Sequence, residues 1–215
     1  MLYLATPSGP DVRAAMSAGL LGCMTTPAQG NVIPDGALYA CDNSKFGSDG
    51  KGRYWPGIEK WFAWLSRTVE RYGPDRCLWA LAPDVPFDAA GTLAESLPWL
   101  PRIRALGVPA AFAAQDGCDQ LGLPWADFEV LFLAGSTDWK IGPVAERLSR
   151  EARARGKTVH MGRVNSRQRL RTAEWFGCDT ADGTYLAFGP DTNLPKLTSW
   201  LDELHHTPSL FGDAA

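Results

Sequence analysis

Short apolar runs recur along the chain, each followed by a polar or glycine-containing turn and then by a segment with helical periodicity. Continuous apolarity, without alternation, is typical of parallel strands that are covered on both faces. The predicted strands are residues 2–6, 37–41, 77–82, 108–113, 130–135 and 158–162, with a weaker one at 178–183.

The segments between these runs carry apolar residues at the spacing of an amphipathic helix. One stripe runs from Ile58 through Trp61 and Leu65 to Val69, and glycines stand where helix C-caps are expected, as at Gly73. The predicted helices are residues 58–72, 88–105, 144–152, 166–176 and 194–205.

Seven strand–helix repeats and a final helix predict a compact (β/α)8 barrel, an α/β fold that takes residues 1–215 as a single domain. The N-terminal turn or the segment near Tyr185–Phe188 would supply the eighth strand. A doubly wound open sheet is the alternative, but no G-x-G-x-x-G fingerprint follows the first strand.

Composition fits a folded domain. With 45% hydrophobic residues and nine Trp, the chain can bury a sizeable core, which excludes a disordered protein. No apolar stretch approaches the roughly 18 residues of a membrane span, and the start lacks a basic segment followed by a long apolar one. We therefore expect a soluble, cytoplasmic protein without a membrane partner. The five scattered cysteines form no C-x2-C pair, so we expect them to be reduced core residues.

Charge is unevenly distributed. Between Arg147 and Arg171 nine basic residues face the single acid Glu151, a net charge of +8 in a chain whose total is −3. This asymmetry favours a side that faces a polyanion. The alternative is that two amphipathic helices simply expose arginine-rich, solvated faces.

Polar residues follow the predicted strands one after another. The C-terminal strand ends of a β/α barrel converge on one mouth, where active sites are built, so we expect these side chains to meet there. They are Asp42, Asp84, Gln115, Asp116, Gly135, Ser136, Arg163, Asn165 and Asp182.

A single Asp after a strand is often only the N-cap of the next helix, but this explanation weakens when the pattern recurs. Asp182 in particular leads into no obvious helix. His160 lies within a strand, where a structural role is as reasonable as a catalytic one. Three His are too few for a metal site, so we expect none. Paired carboxylates suit chemistry at a glycosidic carbon, which indicates a glycosidase or a glycosyl transferase.

Two short motifs resemble those of the tRNA-guanine transglycosylases and their DNA-acting relatives, which insert 7-deazaguanine bases and are often carried by bacteriophages. The segment DNSKF at 42–46 is similar to the D-S-G-G-F element of that family, and GCDTADG at 177–183 is similar to its G-x-D-x-x-D-(C/G) element. The segment 160–184 looks most like the short DNA-acting branch.

The resemblance implies roles for individual residues. Asp182, and not Asp179, would be the nucleophile that attacks C1′ of the target nucleoside, and Asp42 would carry protons. Asp84, with Asp88 as its rival, would read the purine base together with Gln115, Gly135 and Ser136. The phosphate or nucleic-acid contacts would be Lys140, Arg163, Asn165, Arg167, Arg169 and Arg171.

The C-x-C-x2-C…H zinc site of the tRNA enzymes has no counterpart in the sequence, so the zinc subdomain is missing and DNA is favoured over tRNA. The resemblance implies no cofactor, a preQ0-like 7-deazaguanine as the small-molecule substrate, and a host cytoplasmic location if the protein is phage-encoded. Three alternatives stay open: a tRNA-type enzyme on RNA, a nucleoside or glycoside hydrolase using the same carboxylates, and a non-catalytic nucleic-acid-binding accessory.

Overall fold

In residues 1–46 and 54–206, which this computed structural model describes, eight parallel strands close into a barrel. Each strand pairs with the next along the chain, and the last pairs with the first. The fold is therefore the predicted (β/α)8 barrel. Its strands are β1 Leu2–Ala5, β2 Gly22–Thr25, β3 Tyr39–Cys41, β4 Cys77–Leu81, β5 Ala110–Ala114, β6 Val130–Leu133, β7 Thr158–Met161 and β8 Thr180–Asp182.

Helices connect most of the strands and cover the outside of the barrel. Helices α2 and α7 bury the predicted apolar stripes, and Gly73 continues from α2 in a left-handed conformation (φ 86°) that favours glycine. The helices are α1 Pro10–Ser17, α2 Ile58–Tyr72, α3 Ala89–Ser96, α4 Leu100–Arg104, α5 Cys118–Leu121, α6 Thr137–Lys140, α7 Pro143–Ala154, α8 Arg167–Trp175 and α9 Pro190–His206.

Two sequence predictions were wrong. The segment near Tyr185–Phe188, one of the two alternatives for the eighth strand, is not a strand, because Tyr185–Ala187 forms one turn of 3-10 helix; the strand missing from the prediction is β2. The predicted helix over 88–105 is divided into α3 and α4. Pro98 lies in the break, where its missing N–H and its ring disfavour a continuous helix.

The alternation of side chains along each strand produces two buried layers. One fills the barrel and includes Leu4, Trp79 and Phe132. The other lies between the strands and the helices, and includes Tyr3 and Ala5, the neighbours of Leu4 on β1. All five cysteines are buried and unpaired. Among the described residues, no helix has both the length and the apolar character to cross a membrane.

Candidate active site

A cavity of about 670 Å³ opens at the C-terminal ends of the strands. This volume is within the usual range for small-molecule sites, roughly 300–1,000 Å³. All eight strands contribute a lining residue at or shortly after their ends. These residues include Thr6, Thr26, Asp42, Asp84, Gln115, Ala134, Gly162, Arg163 and Asp182.

Asp182, the last residue of β8, is held in the cavity wall by two hydrogen bonds to the same carboxylate oxygen. Its Oδ1 lies 3.0 Å from His160 Nε2 and accepts the backbone N–H of Arg163 at 3.2 Å. About a fifth of the side chain remains exposed (22%). Among the described residues Oδ2 accepts no hydrogen bond, so this oxygen is available to a ligand in the cavity.

His160 is fully buried inside the barrel, beneath Asp182. Its ring lies between those of Trp79 and Phe132, with centroids 4.7 and 4.5 Å away. Burial lowers the pKa of His160, and the adjacent Asp182 carboxylate opposes this shift. The sequence had left the role of His160 undecided, and its pairing with Asp182 was not predicted.

Asp42 lies directly after β3 and also lines the cavity. Its Oδ1 accepts the backbone N–H of Ser44 at 2.7 Å. Removal from bulk water raises the pKa of Asp42 from 3.8 to about 7; the Ser44 N–H opposes this shift, and the nearby carboxylates of Asp182 and Asp84 add to it. Asp42 can therefore gain or lose a proton near neutral pH.

Asp84 belongs to a buried network of amides at the floor of the cavity. Its Oδ1 accepts the side-chain amide of Asn43 at 2.8 Å, and its Oδ2 accepts that of Gln115 at 2.7 Å. Gln115 in turn accepts the backbone N–H of Phe87 at 3.0 Å through Oε1. Burial raises the pKa of Asp84, while the Asn43 amide and the charge of Lys45 oppose this change. The two side-chain amides therefore hold the Asp84 carboxylate in one orientation.

Ser44, Phe87 and Arg163 are the non-glycine residues with positive φ in the described part of the chain, at 66°, 67° and 59°. Left-handed backbone at such residues is uncommon and costs roughly 1–2 kcal/mol, and it tends to occur at functional sites. Ser44 and Arg163 line the cavity, and Phe87 donates to the cavity residue Gln115.

Arg163 and Phe46 line the cavity, and the exposed Phe87 ring lies near the same guanidinium. The guanidinium lies 4.5 Å from the ring centroid of Phe46 and 5.8 Å from that of Phe87, within cation–π range. It also donates to the backbone carbonyl oxygens of Ala134 and Gly135. Burial lowers the pKa of Arg163, and the Asp182 carboxylate opposes that shift.

Two buried polar atoms of cavity residues, Ser44 Oγ and Asn165 Oδ1, have no hydrogen-bond partner within residues 1–46 and 54–206. A buried polar atom without a partner costs roughly 1–3 kcal/mol. Both atoms are therefore suited to contacting a bound molecule. Asn165 was predicted from the sequence as a site residue. Ser44 was not predicted, because the functional role in the DNSKF motif was assigned to Asp42.

The predicted nucleic-acid contacts separate into two groups. Arg163, Asn165 and Arg169 line the cavity. Arg167 is paired with Glu203 of α9, and Arg171 lies exposed on α8 away from the cavity. The prediction for Lys140 was wrong: this side chain is fully buried, and its ammonium donates to the carbonyl oxygen of Gly162 at 2.5 Å.

Three predicted base-binding positions are occupied by structural contacts. Asp88 is the N-cap of α3 and accepts the N–H of Gly91 at 3.0 Å, outside the cavity. Ser136 caps α6, and both its N–H and its hydroxyl donate to Asp116. The Gly135 N–H bonds to Ala114, and a Cβ at this glycine would lie 2.5 Å from the Trp139 ring. We therefore correct these three assignments, none of which lines the cavity; Asp84 and Gln115 do line it.

The basic window that begins at Arg147 is largely neutralised. Arg147, Arg150 and Arg155 form ion pairs with Asp119, Glu146 and Glu151. Arg153 donates to the carbonyl of Gly177 at 2.7 Å and lies 3.5 Å from Asp179. On α7 the solvated-face interpretation is therefore the better one. The basic residues of this window that line the cavity are Arg163 and Arg169.

Gly183 provides a test of how tightly the nucleophile candidate is packed. A Cβ at this position would lie 2.5 Å from Tyr3 Oη and 2.7 Å from the Val164 carbonyl oxygen, and would overlap Asn165 Oδ1. We expect Gly183→Ala to destabilise the protein by about 1–3 kcal/mol, which is roughly 3–10 °C in Tm. Thermal unfolding measures this change. Gly9→Ala is the control because its Cβ would meet Pro190 at an ordinary 3.5 Å; equal Tm values for both variants would contradict the packing argument.

The chain matches no protein-family profile, and no curated protein matches its sequence. Solved structures share its fold. One is a candidate glycerophosphoryl diester phosphodiesterase from Agrobacterium tumefaciens, with 13% identity and a TM-score of 0.54, covering 95% of this chain and 98% of the other. A native KDPGal structure has 10% identity and a TM-score of 0.53, covering 95% and 93%. A designed cube-shaped protein cage has 12% identity and a TM-score of 0.52, covering 95% and 71%.

The chain is a β/α barrel. At 10–13% identity these likenesses show the fold alone, and none of the three structures is a tRNA-guanine transglycosylase. Function must therefore be argued from the side chains at the mouth of the barrel. Among the described residues, no group of three or more His, Cys, Asp or Glu side chains could hold a metal ion.

Proposed function

We propose that this protein is an enzyme that exchanges guanine in nucleic acid, with DNA favoured over tRNA, for a preQ0-like 7-deazaguanine base. The single observation that carries the proposal is the pair of acidic residues in one cavity. Asp182 is oriented by two donors on one oxygen, and Asp42 has a pKa of about 7. Pairs of carboxyl groups in different environments divide the roles of nucleophile and proton carrier between them.

The reaction proceeds in two displacements. Asp182 Oδ2 attacks C1′ of the target nucleotide, and the electrons of the C1′–N9 bond leave with guanine, which takes up a proton from Asp42. The sugar is then an ester of Asp182. In the second displacement, N9 of the incoming deazaguanine loses its proton to Asp42 and attacks C1′, and the electrons of the ester bond return to Asp182. Protons and charges balance over the cycle.

Asp84 is the proposed reader of the purine edge. Each carboxylate oxygen has a second lone pair beyond the one used by Asn43 or Gln115, so the group can still accept N–H groups of guanine. Because the amides hold Asp84 rigidly, its acceptors are arranged before the base arrives. Gln115 supports this group in the proposed site.

The motif DNSKF supports the assignment despite its departure from the family pattern. Its third residue, Ser44, stands where the family has a glycine, and its backbone is nevertheless left-handed, the conformation that a glycine adopts readily. The turn is maintained by the Ser44 N–H on Asp42 and by the Lys45 N–H on Asn43 Oδ1 at 2.8 Å.

The position of the cavity also bears on the substrate. A base at the floor of a barrel mouth cannot remain stacked in a duplex, so the target nucleotide must be flipped out or single-stranded. Arg163 and Arg169 line the cavity and would neutralise adjacent phosphates.

The test is release of labelled guanine from DNA and, in parallel, from tRNA, with and without preQ0. We expect release from DNA that depends on preQ0 together with incorporation of the deazaguanine. Release from tRNA alone would make RNA, and not DNA, the substrate polymer. Release that leaves abasic sites, with no deazaguanine incorporated, would indicate a hydrolase. Release from neither polymer would refute base exchange.

A further inference from the structure

We infer that His160 is a positioning residue for the Asp182 nucleophile, and that Thr180 sets its tautomer. The inference deepens the proposed function and rests on it for the role of Asp182. It begins with three side chains joined in one chain of hydrogen bonds. His160 Nδ1 lies 2.8 Å from Thr180 Oγ1, and its Nε2 lies 3.0 Å from Asp182 Oδ1.

The strands bring these groups together by register. Thr180 and Asp182 are two residues apart on β8, so their side chains lie on the same face of the strand. His160 of β7 is the register partner of Thr180. The imidazole therefore lies inside the barrel within hydrogen-bond distance of both Thr180 and Asp182.

The hydrogen-bond capacities fix the protonation of the ring. The carboxylate of Asp182 can only accept, so Nε2 must carry the hydrogen. Nδ1 of the neutral ring is then an acceptor, and the Thr180 hydroxyl donates to it. His160 and Thr180 are both buried, at 0% and 8% exposure, so water does not compete for these bonds.

The ring has little freedom to move. Trp79 and Phe132 contact it, with centroids 4.7 and 4.5 Å away. The second donor to Asp182 Oδ1, the Arg163 N–H, comes from a residue with left-handed backbone, φ 59°. With Oδ1 held by both donors, the carboxylate presents Oδ2 to the cavity. In the proposed ester Oδ1 becomes the carbonyl oxygen and keeps both donors.

The experiment compares the steady-state kinetics of guanine exchange in four variants. His160→Leu removes the donor to Asp182 and Thr180→Val removes the hydroxyl, whereas His160→Gln and Thr180→Ser retain an equivalent group. We expect His160→Leu to lower kcat by about 10–100-fold with KM nearly unchanged, the range found for residues that orient metal ligands through a similar hydrogen bond. His160→Gln should recover most of this loss, and Thr180→Val should lower kcat less than His160→Leu and be restored by Thr180→Ser.

Thermal unfolding of each variant separates positioning from folding. If His160→Leu and His160→Gln unfold at the same temperature and release guanine at the same rate, the positioning role is wrong. If His160→Leu fails to fold, the comparison of Thr180→Val with Thr180→Ser decides, because both retain the imidazole; equal rates for that pair would overturn the assignment.

A second readout does not depend on catalysis. Nitrogen-15 NMR of histidine-labelled protein reports the tautomer, and His160→Gln assigns the signal among the three His of the chain. A proton on Nε2 and a shift of that signal in Asp182→Asn support the inference, whereas a proton on Nδ1 overturns it. Wild-type protein that releases no guanine from any polymer would defeat the proposed function, and the NMR result would still decide the geometry.

Discussion

Replacing Asp182 with Asn should reduce guanine release by on the order of a thousand-fold or more, as losses of catalytic nucleophiles do. The amide keeps the shape of the carboxylate, and its oxygen can still accept from His160 Nε2 and the Arg163 N–H, which hold Oδ1 in the wild type. The fold should therefore persist while the attacking oxygen is lost. Single-turnover release of labelled guanine from DNA measures the effect.

Asp179 supplies the matched control because it is the other Asp of the same short motif. It lies directly before β8, at the opposite end of that strand from the cavity, and accepts the N–H of Val159 at 2.8 Å. Asn at this position can accept the same hydrogen bond. We expect Asp179→Asn to retain guanine release within about threefold, since exposed substitutions usually change stability by less than about 0.5 kcal/mol. Equal losses in the two variants would contradict the assignment of the nucleophile.

Replacing Asp42 with Asn should have opposite effects on activity and stability. The proton carrier is lost, so guanine release should fall by roughly 10²–10³-fold. In the wild type, the released guanine takes its proton from Asp42, whose pKa is about 7. Single-turnover release should therefore decline as pH rises above 7, and this decline should be missing in Asp42→Asn.

The gain in stability follows from the same pKa. The unfolded chain ionises Asp42 near its ordinary value of 3.8, but the folded chain does so near 7, so folded-state stability falls as pH rises between these values and stays reduced above them. Asn removes this penalty and can still accept the Ser44 N–H. We expect the free energy of unfolding of Asp42→Asn to exceed that of the wild type by about 1–2 kcal/mol at pH 8, or roughly 3–6 °C in Tm. This difference should shrink as the pH falls toward 4.

Asp138→Asn is the control for both measurements, because Asp138 is exposed in α6 and does not line the cavity. It should alter neither the pH profile nor the Tm. If Asp42→Asn is no more stable than the wild type at pH 8, burial beside Asp182 and Asp84 does not destabilise the ionised form of Asp42. If it releases guanine with an unchanged pH profile, another group carries the proton.

Much of the barrel could be predicted because parallel strands covered on both faces leave an unmistakable run of apolar residues. β2 was missed because its four residues, Gly22–Thr25, include a glycine and a threonine and form no such run. It is a strand because β1 and β3 flank it and the barrel must close, which is a tertiary effect. The segment near Tyr185–Phe188, one of the two alternatives for the eighth strand, contains one turn of 3-10 helix at Tyr185–Ala187.

The candidate site was predictable where position along a strand decides it. Asp42, Asp84, Gln115 and Asp182 all follow or end strands, and all four line the cavity. The pairing of His160 with Asp182 was not predictable, because it depends on the register of β7 against β8.

The position of Lys140 could not be predicted either. Its charge suggested a phosphate contact, but its long stem and its ammonium are buried beneath the Gly162 carbonyl. Burial lowers the pKa of this lysine to about 7, and the charge of Arg163 contributes to the shift. Helix α6, which carries Lys140, has only four residues, too few to show a periodic pattern.

The most direct test of the central claim is mass spectrometry of the protein incubated with guanine-containing DNA without an incoming base and then denatured. A covalent Asp182–sugar ester should appear as a DNA adduct on the peptide that contains Asp182, and it should be missing in Asp182→Asn and discharge when preQ0 is added before denaturation. An adduct on Asp42 or another residue would contradict the assigned roles. Guanine release without any adduct would contradict the covalent mechanism itself.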